Sequence, residues 1–159
     1  MSADPGRSGS PLLAVLVGGG IAATCDIVYA CVANAARWGK SAEWVLQSVA
    51  SGWLGEGAFD SGTGGALLGL ASHYSILFVA AALYLQASRR WAVLRTQAVA
   101  CGALFGVGVY LFMNFVVLPL SAFPFHPAYP AMKLLEGFAT HALFVGVPIA
   151  LAVRRFVRT

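Results

Sequence analysis

Residues 98–120 read AVACGALFGVGVYLFMNFVVLPL, a run without one Asp, Glu, Lys or Arg. A helix rises about 1.5 Å per residue and bilayer hydrocarbon is about 30 Å thick, so roughly 20 such residues cross it. The stretch therefore predicts a membrane-spanning helix from Ala98 to Leu120. Working outward, three more apolar runs of similar length predict spans over Leu12–Ala35, Gly64–Ala87 and Ala131–Val153. Composition agrees: of 159 residues 59% are hydrophobic and only 10% charged, and the mean hydropathy is +0.78, too apolar for a soluble domain of this size.

The fold class expected is all-α: a single integral membrane domain over 1–159, built as a four-helix bundle with one further helix on the periplasmic surface. Arg7 ahead of the first span and the small-residue triplet ANA at 33–35 imitate a signal peptide. The apolar run is longer than such a segment needs and Asp26 interrupts it, so a retained span is expected.

The formal net charge of +4 does not indicate nucleic acid, because the basic residues lie in short flanks between spans, not along one solvated face. They report topology. Arg7, Arg89, Arg90, Arg95, Arg154, Arg155 and Arg158 share one side of a four-span chain, against Arg37, Lys40 and Lys133 on the other. Cytoplasmic loops carry the Lys/Arg excess, so both termini are expected in the cytoplasm of a bacterial inner membrane, with Trp38, Trp44 and Trp53 at the outer boundary and Trp91 at the inner one. Cys25, Cys31 and Cys101 all sit in apolar runs, which suits small packed hydrophobes better than a disulfide framework.

The first outer connection predicts a helix over about 41–54. Ser41 can cap it, Glu43 lies in its first turn, and Val45, Leu46, Val49, Ala50 and Trp53 recur at helical spacing opposite Gln47, Ser48 and Ser51. Too short to span, it is expected to lie in the membrane interface. GEGAFDSGTGG at 55–65 lacks the GK[ST] ending of a phosphate loop and reads as a turn into the second span. SAFPFHPAYP at 121–130, with three prolines, predicts an extended lid on the same side; His126 within it is expected to be solvated.

Ionisable and amide residues inside the spans are the functional candidates: Asp26, His73, Asn114, Glu136 and His141, with Tyr29, Tyr110 and Thr140 nearby. Measured from the outer span ends they fall roughly 14, 14, 9, 8 and 15 Å deep at 1.5 Å per residue, all in the outer half or near the midplane. Such groups are costly in hydrocarbon, so they turn toward other helices or a watered cavity. Their helical faces agree. Gly18, Ala22 and Asp26, then Gly65, Gly69 and His73, then Gly102, Gly106, Tyr110 and Asn114 recur every four residues, the spacing of small residues that lets helices approach in lipid.

Two phrases match: GLASH at 69–73 and GFATH at 137–141. A duplicated helix hairpin about a pseudo-twofold axis along the membrane normal would explain them and would set His73 and His141 facing each other. Three functions are open to this set. One is an outward-facing polar pocket for a small solute, a lipid headgroup or protons, since imidazole and carboxylate suit protonation-coupled binding. A second is ligation through His73 and His141, of haem b with glycines one turn away leaving room for the porphyrin, or of zinc or another divalent ion helped by Asp26 or Glu136. The third is a structural scaffold, with Asn114 and Tyr110 as a hydrogen-bonded pair, Glu136 paired with Lys133, Asp26 paired with a histidine, and the glycine stripes supporting a homo-oligomer in the bilayer. No hydrolase constellation such as GxSxG stands out, and an enzyme is not expected.

DIVYA at 26–30, LQSVASGWLG at 46–55, GLASHYSI at 69–76 and GVGVYLFMNFVVLPLSAFPFHP at 106–127 resemble a family of small, uncharacterised bacterial inner-membrane proteins with four predicted spans. The resemblance runs from about Leu13 to Arg155. It implies multi-pass inner-membrane location and no assigned biochemical activity, which leaves the function open, and it carries over no site residue.

Overall fold

The structure, a computed structural model, describes residues 10–125 and 130–157. Every regular element among these residues is helical. Arg7, Arg158 and His126 lie outside the described residues, as does the rest of 126–129 in the proline-rich connection.

Helix α1 spans Pro11–Trp38. Ser10 Oγ accepts from the Leu13 N–H at 3.3 Å, and Pro11 occupies the first turn, where a missing N–H costs nothing. The helix stops at Gly39, whose φ of 61° a side chain would resist, with its N–H returned to the Ala35 carbonyl at 3.0 Å. Helix α2 covers Ala42–Leu54. Ser41 caps it as expected, its Oγ accepting from Trp44 N–H at 3.1 Å. A 3-10 turn at Gly55–Asp60 leads into α3, Gly62–Arg90, so the glycine-rich segment is indeed a turn into the second span. A short α4, Val93–Thr96, links it to α5, Ala98–Leu120; α6 is Ala131–Phe156. Four of these helices, α1, α3, α5 and α6, are long and apolar enough to cross a membrane, as in a multi-pass membrane protein. Three run a few residues beyond the expected bounds, because helical structure continues past the apolar stretch.

Both α5 and α6 contain a π-helical turn, Met113–Val117 and His141–Gly146, and each turn is followed by a proline, Pro119 and Pro148. Proline offers no N–H and its ring crowds the carbonyl four residues back, here Phe115 and Phe144. A wider turn just upstream absorbs that mismatch without breaking the helix.

The four long helices pack through the small-residue stripes. α1 lies between α3 and α6, and α5 lies against α6. A Cβ on Gly18 would meet Ala152 and Ile149 of α6, and one on Gly19 would meet Phe78 of α3. Gly102 and Gly106 of α5 sit against Gly146, His141 and Ala142 of α6, backbone to backbone. Gly65 and Gly69 differ: they receive the 3-10 turn and α2, through Ser61 and Leu46, not another long helix.

The dry core occupies the end of the bundle where the termini lie. Ala14, Ala81, Tyr84, Val145, Ile149 and Val153 are almost completely shielded there. Tyr84 keeps its hydroxyl satisfied by donating to the Leu94 carbonyl at 2.8 Å, and its ring meets Phe105 edge-on. Outward faces carry Ile21, Val32, Val79, Leu83, Leu104, Phe115 and Leu143, exposed and apolar.

Helix α2 corrects the expected division of its faces. Gln47 and Ser51 are buried along with Val45 and Ala50, while Trp53 and Leu54 are exposed. The polar pair can go inside because each finds a carbonyl: Gln47 Nε2 donates to Gly62 O at 3.1 Å and Ser51 Oγ to Ser48 O at 2.7 Å. Trp53 Nε1–H reaches Ser72 Oγ at 3.1 Å. The chain leaving α5 crosses the C-terminal end of α2, with Ala122 N–H bonded to Gly52 O at 3.0 Å, and Phe125 joins Trp44 and Phe59 in an aromatic cluster.

Candidate functional site

Three helices deliver one ionisable side chain each to the same place. Asp26 on α1 follows Gly18 and Ala22 down one stripe, so it points into the bundle at the edge of the dry core. His73 on α3 places Nε2 3.9 Å from Asp26 Oδ2, and His141 on α6 places Nε2 4.0 Å from Asp26 Oδ1. All three are largely shielded, at 16%, 10% and 22% side-chain exposure for Asp26, His73 and His141.

The main chain dictates where the imidazole protons go. A carbonyl only accepts, so His73 Nε2, 3.0 Å from Ala23 O, is a donor to it. By the same reasoning His141 donates from Nδ1 to Gly137 O at 3.1 Å. In the neutral ring this leaves His141 Nε2 as a lone pair turned toward the carboxylate. No side chain among the described residues donates a hydrogen bond to Asp26. Tyr110 of α5 backs His141, ring centroids 5.0 Å apart at 70°, and Gly137 leaves room for that phenol ring, which a Cβ there would strike.

A second group lies one to two turns nearer the end opposite the termini. Glu136 of α6 grips Arg37 of α1 through both oxygens, at 2.7 Å to Nη2 and 2.9 Å to Nη1, and accepts from the Tyr29 hydroxyl. Such a fork-to-fork pair fixes geometry as well as charge. Tyr29 also packs on Phe144, centroids 5.6 Å apart. The expected Glu136–Lys133 pairing is replaced by this one, and Lys133 sits over the Trp38 ring instead. The cause is reach: Arg37, in the last turn of α1, faces α6 directly.

The seven candidates thus divide. Asp26, His73 and His141 converge, Tyr110 supports His141, and Tyr29 with Glu136 forms the neighbouring group. Asn114 donates to the Tyr110 carbonyl on its own helix at 2.9 Å, so that bond does not link two helices. The two histidines do not face each other across an axis; both turn to α1, with the carboxylate between. The Asp26 carboxylate lies 3.9 and 4.0 Å from the two Nε2 atoms that were expected to ligate a haem porphyrin. The glycines thought to give it room are filled, Gly69 by α2 and Gly137 by Tyr110. No set of three His, Cys, Asp or Glu among the described residues is placed to hold a metal ion.

Composition and spacing did not single out Arg37, which read as a topology signal. Continuing the stripe Gly18, Ala22, Asp26 by helical steps gives Tyr29, Ala33 and Arg37, so the signal was there. The Thr24–Tyr74 hydroxyl contact at 2.8 Å, between α1 and α3, was missed as well. No family model, no curated protein and no solved structure matches the chain.

Proposed function

We propose that the chain is a multi-pass bacterial inner-membrane protein with cytoplasmic termini, whose Asp26–His73–His141 cluster binds protons and a small ligand from the periplasmic side. The observation that carries this is one carboxylate flanked by two imidazoles from three different helices, each at about hydrogen-bond distance plus one ångström. Protonating an imidazole there creates a counter-charge for Asp26 and draws the helices together, so occupancy and helix position are coupled.

Topology rests on the arginines. Arg89, Arg90, Arg95, Arg154 and Arg155 gather at the termini end, whereas the opposite end has Arg37, Lys40 and Lys133, the first of them neutralised by Glu136. α2 belongs in the outer interface on this reading, with exposed Trp53 and Leu54 toward lipid headgroups.

The test is histidine-ring NMR on the full chain in nanodiscs between about pH 5 and 9. The proposal expects the His73 and His141 ring signals to respond to pH together, and both responses to change when Asp26→Asn is introduced. If both rings ignore pH and ignore Asp26→Asn, the cluster is helix packing and the function fails.

A further inference from the structure

The lining of the cluster is one-sided in its hydrogen-bonding chemistry. Asp26 presents two acceptor oxygens, and His141 presents the Nε2 lone pair, because its Nδ1–H is committed to Gly137 O. His73 has its Nε2–H committed to Ala23 O. Hydrogen-bond acceptors therefore face one another at 4.0 Å, too far to share a proton directly. What joins two acceptors at that separation is a donor set off the line between them. A nitrogen about 2.8 Å from each would subtend roughly 90°, close to the angle between N–H bonds of an ammonium group.

Charge points the same way. From α1 the site receives Asp26, from α3 His73, from α6 His141, and from α5 the Tyr110 ring behind His141. Arg37 is held by both oxygens of Glu136, and Tyr29 is bound to the same carboxylate. With neutral imidazoles and an ionised Asp26 the cluster would hold one negative charge at a largely shielded position, where a positive partner stabilises it.

We propose that the Asp26–His141 gap is a binding site for a small N–H-donating cation, ammonium or a short primary amine. This rests on the cluster being the ligand pocket proposed above, and it adds a direction. An imidazolium at His141 supplies the same donor and the same charge from within the protein. Proton and amine therefore compete for one place, and acidification expels the amine. With one proton exchanged for one cation, the apparent Kd for ammonium rises about tenfold per pH unit below the imidazole titration.

The experiment is ammonium chloride titration of the full chain in nanodiscs, followed by the His73 and His141 ring signals at about pH 8 and again at about pH 6. Tetramethylammonium chloride and potassium chloride serve as ionic-strength controls, the first lacking donors and the second lacking N–H direction. The expected result is saturable movement of both ring signals with ammonium, absent with either control and weaker at the lower pH. Asp26→Asn abolishes it and Asp26→Glu retains part of it, with circular dichroism reporting that each variant folds. Equal responses to potassium or tetramethylammonium, or no response to ammonium, overturn the amine site. The latter result, with both rings still titrating in an Asp26-dependent way, leaves the proton-binding function standing and removes only this inference.

Discussion

Glycine at a helix crossing is a test of how closely two backbones meet. A Cβ at Gly106 would fall on the carbonyl and backbone of His141–Ala142, which cannot swing away as a side-chain tip can, whereas Gly108, on the same helix, faces open space. Gly106→Ala is expected to destabilise the bundle by about 1–3 kcal/mol, the usual range for overpacking, and Gly108→Ala to be neutral or mildly stabilising. Unfolding in mixed micelles, read by circular dichroism, checks the pair; equal effects would mean that α5 and α6 do not cross at Gly106. Much of this scale was legible from residue spacing. Gly18, Ala22 and Asp26 define a buried stripe, and both histidines end a phrase that begins with a glycine four residues earlier. What spacing did not contain was the partner of each stripe. Gly69 and Gly102 look alike in sequence, yet one receives α2 and the other α6.

At the scale of elements, the three-helix cluster depends on how α6 is held against α1. Glu136, Arg37 and Tyr29 clamp the two helices one to two turns beyond the cluster, and the clamp lies on the part of α6 before the π turn, Ala131–Thr140. Arg37→Gln removes the bidentate grip and is expected to speed amide hydrogen exchange across 131–140 while leaving 147–156 protected by the dry core. Equal protection in both variants would show that helix packing alone holds α6. The start of α2 was readable because a cap residue, Ser41, stands beside an apolar run. The π turns were not, although Pro119 and Pro148 mark their places. A proline within a span signals only that the ladder must give way, and the neighbouring helix decides whether by a kink or a wider turn. The faces of α2 were misread for a related reason: Gln47 and Ser51 look solvent-bound until Gly62 O and Ser48 O are brought within reach.

For the whole molecule, the number of spans and their hydrophobic length were fixed by composition and by four uninterrupted apolar runs, while the order of helices around the bundle was not, because lipid-facing and protein-facing apolar residues are chemically the same. Orientation is the property open to direct check. A green fluorescent protein fused after residue 159 is expected to fluoresce and an alkaline phosphatase fused there to be inactive, with the opposite pair of outcomes for fusions placed between residues 55 and 62. Reversed signals would put the termini in the periplasm and the polar cluster in the inner leaflet. The filling of the termini end by Tyr84, Val145, Ile149 and Val153 bears on energy conservation. In a bilayer these side chains would stand between the cluster and the termini end and close that end of the bundle to water. On the proposed reading, protons that reach Asp26 from the opposite end leave by the way they came. A cell could therefore hold many copies of this protein at work without short-circuiting its proton gradient.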